Sequence, residues 1–418
     1  MNHILKYLSL ATILGILCLY GNNYLCAAEQ PDSEAVHTVW TSPELDGEVL
    51  ELFFSPDTTV CYPEKALIFR ETYWYKLVYF NSGGGIVKTT TLATRSEKPW
   101  DIPWAISWTP DGKKFCVSSQ YIGSANGYDI RYKYIIYDEA GAKLLSKNDA
   151  GITNAISPDG KYILTINGIK GMIELYDNKG SLIKAIDKPV GYYEGIGPTG
   201  KVQFVKDKIF VLVRNELTDV NSYKLYALKR NGDLLFKVED FNREYVTADF
   251  VTSNKGDFVI LHSGNPYKGY LRKYNDSGKM MWQINTEVGQ LGLILSDNNK
   301  YLCAHLDGGA FLVNTSTKAY YKVINEKIST SGRKVMVFDN GTAMFTQNEN
   351  NLAFINKDGQ FEMEEMPGLP FSRYINLKRG IFISIESKYD ELQKMIIKKA
   401  GAEYMGKIKA KGGLSNER

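Results

Sequence analysis

A short turn that recurs every 40 to 55 residues, flanked by brief apolar strands, predicts an all-β ring of repeated units: a β-propeller of four-stranded antiparallel blades. The clearest copy, residues 155–167, reads AISPDGKYILTIN. Looser copies read SWTPDGKKFCVSS, GIGPTGKVQFV and LILSDNNKYLCAHL. Aligned on their third turn position, Asp111, Asp159 and Thr199 are followed by copies near Lys255, Asn298, Asn340 and Lys378.

Each copy is followed by a second phrase, an aromatic strand, a turn and another strand. In order these are LVYFNSGGGIVKTT, YIIYDEAGAKLLSK, IELYDNKGSLIKAI, LYALKRNGDLLFKV, LRKYNDSGKMMWQI, AFLVNTSTKAYYKV, LAFINKDGQFEMEE and MIIKKAGAEYMGKI. They predict eight blades of about 47 residues each, with seven as the alternative, because the first and last units depart most from the pattern. We letter the strands A (before the SPDG-like turn), B (after it), C (the aromatic strand) and D.

The turn letters have separate physical reasons. Proline presets φ at the second position of a type I turn, aspartate tolerates the third, and glycine accepts the fourth. Segments such as KYILTIN, DFVILHS and KIFVLVR are almost continuously apolar, as expected for strands covered on both faces by neighbouring blades. The SPDGKY unit resembles the WD-repeat-like class of bacterial β-propeller repeats. NDSGKMMWQI, with Trp282 four residues after Gly278, is similar to the pyrroloquinoline-quinone-like class. The resemblance spans residues 35–412 and implies a fold, not an activity. It departs from the first class in that the closing Trp-Asp pair is Tyr137-Asp138 and Tyr176-Asp177 here and is absent elsewhere.

Residues 1–28 read as a secretory signal. Lys6 precedes the apolar LSLATILGILCLYG, and Cys26-Ala27-Ala28 supplies small residues for cleavage near Ala28. Asn22-Asn23 stops the run short of a membrane span, and a lipid anchor at Cys26 is the less favoured alternative, because Leu25 before it is bulkier than a lipobox normally allows. The expected organisation is a signal at 1–28, one propeller domain at 29–412 and a short tail at 413–418, in a secreted or periplasmic protein. Hydrophobic residues at 44% and charged residues at 23% suit a large core. A net charge of +3 without a basic block argues against nucleic acid.

Several local patterns dissolve in this register. Cys61, Cys116 and Cys303 are too few and too odd in number for a disulfide framework, and the last two fall in strand B as core residues. His37, His262 and His305 have no metal-ligand spacing. Gly195 to Val202, GIGPTGKV, approaches a phosphate-binding loop but lacks its hydroxyl residue and helix, and aligns with the SPDG turn of another blade. The sequons at Asn275, Asn314 and Asn340 coincide with turns. No catalytic motif, metal site or cofactor is implied.

In such blades the A–B and C–D turns share one face, while the B–C and D–A connections share the other. The second set varies: Tyr121 to Arg131, Asn215 to Ser222 and Gly264 to Gly269 are the B–C examples. Varied loops on a rigid scaffold are where binding groups reside. The candidate ligand or partner residues are therefore Tyr121, Tyr128, Asp129 and Arg131 in the long insert, with those of the D–A connections. The latter are Trp100, Asp101 and Trp104; Tyr192, Tyr193 and Glu194; Arg243, Glu244 and Tyr245; and Arg373 with Tyr374. Aromatics interleaved with charges suit a glycan, a peptide or a partner's loop. The expected function is a non-enzymatic platform for a protein or glycan partner. The alternative is a quinoprotein- or lactonase-type enzyme with a cofactor or Ca²⁺ at the central opening, for which Asp101, Glu194, Asp249 and Glu244 are the acidic candidates.

Overall fold

The computed structural model describes residues 36–414 except 47, 54–62, 71–73, 82–83, 95–101, 123–129, 149–152, 168–171, 187–199, 216–221, 242–246, 265–267, 287–291, 307–308, 326–327, 329–334, 347–350, 368–373, 377–380 and 389–391. Seven four-stranded antiparallel sheets follow one another along the chain, and one five-stranded sheet joins its two ends. The seven are blades 1 to 7, over residues 48–94, 102–148, 153–186, 200–241, 247–286, 292–324 and 335–365. In each, the strands lie side by side in chain order A-B-C-D. From blade 2 to blade 7, the A strands of successive blades touch one another, which makes A the innermost strand.

Seven four-stranded blades, the alternative to the eight expected, are closed into a ring by the five-stranded sheet, which stands in the place of the eighth repeat unit. Its A, B and C strands are Tyr374–Asn376, Ile381–Lys388 and Leu392–Ala400, but its outer position is taken by Val36–Thr41 from the other end of the chain. A fifth strand, Leu45–Asp46, also pairs with Leu392–Ala400. The segment GAEYMGKI, read from sequence as that unit's D strand, is instead the start of a helix, Ala402–Gly412. Helical spacing explains the difference. Tyr404 and Ile408, one turn apart, are buried against Phe338, Met344, Phe354 and Phe382, a face that an alternating strand would split. The basic KIKAKGG stretch belongs to this helix, which ends on Gly413 in the left-handed region, with Leu414 N–H donating to the Lys409 carbonyl. Among the described residues no helix is long and apolar enough to cross a membrane.

The core is distributed over the seams between blades, as double burial requires. Leu164, Ile166, Leu175 and Tyr226 pack between blades 3 and 4; Leu302, Ala304, Phe311 and Leu271 pack between blades 5 and 6. Ile383, Met395 and Ile397 of the closing sheet join Val49, Ala66 and Val78 of blade 1.

The glycines of the turns act in this stacking as well as in the turns themselves. A Cβ on Gly278 would lie 2.5 Å from Phe236 of blade 4, and one on Gly180 would lie 2.7 Å from Leu145 of blade 2. Each C–D glycine thus receives a side chain from the outer strand of the preceding blade. Trp40 stands over Gly84 in the same relation, so the strand from the N-terminal side fits the repeat it completes.

Candidate functional site

Hydrogen bonds show why the A–B and C–D turns are stereotyped. In the SPDG turn, Gly160 N–H donates to the Ser157 carbonyl, the Ser157 hydroxyl donates to Asp159, and Lys161 and Tyr162 N–H both donate back to the Ser157 hydroxyl oxygen. Thr109 and Asp111 repeat the arrangement in blade 2, and Ser296 with Asn298 in blade 6. In the C–D turns a single side-chain oxygen takes two backbone N–H groups: Asp138 from Ala140 and Ala142, Asp177 from Lys179 and Ser181, Asn275 from Ser277 and Lys279, and Asn356 from Asp358 and Gln360. The Asp159 carboxyl lies below its usual range. Burial alone would raise it, and the Ser157 hydroxyl, the Lys161 N–H and the Arg230 charge overcome that. The recurring phrase is architectural.

One copy was misplaced by its letters. The GPTG segment is not the A–B turn of blade 4: Gly200 opens strand A, Gly200–Val205, and the hairpin to Lys208–Asn215 turns at Lys206 and Asp207, with Lys206 at φ 51°. A strand, not a helix, follows the glycine, so the phosphate-loop geometry is absent.

On the opposite face, Trp104 lies in strand A of blade 2, Ile102–Trp108, and Tyr374 in strand A of the closing sheet. Tyr121 and Arg131 face each other across the paired B and C strands of blade 2, so the connection itself is 123–129, shorter than the 121 to 131 insert expected. Asn215 pairs with Ser222 and Gly264 with Lys268 in the same way. Trp100, Asp101, Tyr128, Asp129, Tyr192, Tyr193, Glu194, Arg243, Glu244, Tyr245 and Arg373 lie outside the described residues.

Asp249 is the described member of the acidic set proposed for the central opening. It sits on the innermost strand of blade 5, where one carboxylate oxygen accepts from Lys201 Nζ at 2.7 Å and from Phe250 N–H at 2.8 Å. The other accepts from Leu293 N–H at 3.1 Å. It therefore ties blades 4, 5 and 6 together. With an ammonium on one oxygen and a backbone donor on each, its lone pairs do not suit a Ca²⁺ ligand set. Among the described residues no group of three or more His, Cys, Asp or Glu side chains could hold a metal.

Cys116 and Cys303 are buried in strand B of blades 2 and 6, as their register predicts, and burial pushes both thiols up to about 12. Asn275 and Asn314 accept backbone N–H groups within their turns, and Asn340 donates to the Lys411 carbonyl at the helix end.

The sequence reading placed its ligand candidates on the other face and took Lys255, Asn298 and Asn340 as turn residues, yet two clefts open on this one. One lies between blade 7 and the helix, where Lys411 forms ion pairs with Glu362 and with Glu364 at 3.0 Å. The other, of about 250 Å³, lies between blades 5 and 6 and includes Lys255, Lys273 and Lys300. Its signal in the sequence is the loss of glycine from both turns of blade 6, SDNNK and NTSTK.

No protein-family model matches the chain, and no curated protein matches it. Solved structures do. Kluyveromyces lactis Hsv2 aligns over 62% of this chain and 74% of its own at 11% identity, with a TM-score of 0.38. A eukaryotic initiation factor aligns over 80% and 93% at 11% identity and 0.42, and Kuenenia stuttgartiensis hydrazine synthase over 81% and 99% at 13% identity and 0.43. Similarity at this level adds nothing to function, and the fold rests on the sheet order itself.

Proposed function

We propose that this chain is a secreted or periplasmic, non-enzymatic binding platform whose protein or glycan partner docks on the face of the B–C and D–A connections. The observation that carries the reading is the contrast between the faces. Across the short-turn face, serine, threonine, aspartate and asparagine side chains are mostly occupied by their own backbone. The other face is formed by connections of unequal length, and their sequences interleave aromatic and charged residues, such as YYE at 192–194 and REY at 243–245. The enzymatic alternative gains no support from Asp249, which is held in an inter-blade ion pair.

Shortening 123–129 to a two-residue Asn-Gly hairpin leaves the paired Ile122 and Ile130 in place, so the blade can close normally. Partners captured from envelope and medium fractions by the whole chain should be lost or sharply reduced with the shortened chain. Unchanged capture of the same partners would count against this face.

A further inference from the structure

We infer that the outer edge of blade 6, the strand Tyr320–Ile324, accepts an added strand: an extended segment of a partner protein with an acidic residue between two apolar ones. This edge is on the rim of the ring and not on the face of the platform proposed above, so the two readings stand or fall separately.

The first argument is how the edges are guarded. The outermost strand of a blade leaves one row of backbone N–H and C=O groups without a ladder, a template for another chain unless something blunts it. In blades 1 to 5 the guard is a bulge. The ladder between strands C and D slips by one residue at Val87, Leu144, Ile183, Leu235 and Met281, and each slip twists the edge. The slips also leave those five apolar side chains exposed. Blades 6 and 7 keep an unbroken register along strand D. Blade 7 is guarded by charge instead, with Glu362, Glu364 and Glu365 in one short strand and the first two held by Lys411 of the helix. Blade 6 has no bulge and a single charge in YYKVI, and no further strand pairs with it among the described residues.

The second argument is what the edge selects. Tyr321 and Val323 turn toward blade 7, the first against Gly359 and the second into the core with Val335 and Phe345. Tyr320, Lys322 and Ile324 therefore line up on the other side, toward blade 5. The Tyr320 ring lies 6.3 Å from that of Phe311, and the Lys322 ammonium lies 5.9 Å from the same ring. Ile324, at 65% exposure, is the most exposed large apolar side chain among the described residues. An added strand sets one side chain opposite each of these three. Apolar partners suit Tyr320 and Ile324, and a carboxylate suits Lys322, while the main-chain ladder holds the segment in place. A second copy of this chain fits less well. Antiparallel pairing of YYKVI with itself about its centre sets Lys322 against Lys322, and like charges directly opposite destabilise a sheet.

The whole chain would be titrated against the fluorescein-labelled peptide TVTETVT, read by anisotropy. Saturable binding with a Kd below about 1 mM is expected, and the peptide TVTKTVT should bind at least about tenfold more weakly. Two forms of the first peptide, N-methylated on alternate residues in the two possible phases, separate a ladder from a simple apolar contact. One should lose binding and the other keep it, because only one phase points its N–H groups at the edge. I324K and K322E change exposed side chains, so their near-UV circular dichroism should match the parent's. I324K should weaken TVTETVT binding at least about tenfold, and K322E should reverse the preference between the two peptides. No saturable binding up to about 1 mM would overturn the proposal, as would both methylated forms behaving alike or an unchanged preference in K322E. A concentration-dependent dimer of the whole chain in sedimentation, abolished by I324K, would also overturn it, by giving this edge to a second copy.

Discussion

A glycine in a turn of this chain answers to two constraints, and substitution separates them. Gly160 has φ 64°, and a Cβ there would make ordinary contacts with Lys114 and Thr109, the nearest atoms being 3.4 Å away. Gly278 has φ 82°, and a Cβ would meet Phe236 at 2.5 Å. Gly160→Ala should therefore cost about 1 kcal/mol of backbone strain. Gly278→Ala should cost that plus about 1–3 kcal/mol of overpacking; urea midpoints of the two variants would rank them, and equal midpoints would refute the stacking role. Asp159 predicts a pH effect whose sign follows from its lowered carboxyl. The stabilisation is present above the unfolded carboxylate range and is lost as pH falls through the lower folded value. Asp159→Asn should thus lower stability at neutral pH and flatten the acid limb, the variant and the parent converging as pH falls, which urea midpoints across pH would read. Thr165 adds a third case, since its hydroxyl is fully buried and has no partner among the described residues. Thr165→Val should leave stability unchanged or raise it by about 1 kcal/mol, and a clear loss in thermal denaturation would point to a bridging water.

At the scale of elements, the residues show what was legible and what was not. SPDG could be read because proline, aspartate and glycine each narrow the backbone in the same direction. GPTG has similar letters without the same position. The apolar strand KIFVLVR begins eight residues after Gly200, whereas YILTIN begins two after Gly160. The turn had to lie next to that strand, at Lys206 and Asp207, which carry no glycine signal. The helix was missed for a related reason. A strand-turn-strand template laid over GAEYMGKI hides the one-turn spacing of Tyr404 and Ile408 and the Glu403–Lys407 pair four residues apart. The candidate ligand residues were chosen by topology, and topology specifies a face and not a contact. Ile408 is fully buried in the helix interface, so Ile408→Ala should cost about 2–5 kcal/mol. If that variant unfolds at the wild-type temperature, the helix is an appendage and not part of the core.

At the scale of the whole molecule, the ring depends on a seam between strands some 360 positions apart, Val36–Thr41 and Leu392–Ala400. Trp40 braces the Val36–Thr41 strand of that seam against blade 1, through Gly84 and an edge-on contact with Phe80 at 5.5 Å. Trp40→Ala should lower stability by about 2–3 kcal/mol, less than for a fully buried tryptophan, and limited proteolysis should then cut first near both ends of the ring. Cutting confined to internal connections would show that the ring is held elsewhere. The same pairing has a mechanical consequence. Val36 lies opposite Ala400 in an antiparallel ladder, so a pull applied at these two residues loads one pair of hydrogen bonds at a time and peels the strand away like a zipper. A ring that resists heat through all its seams together would open under small tension through this one.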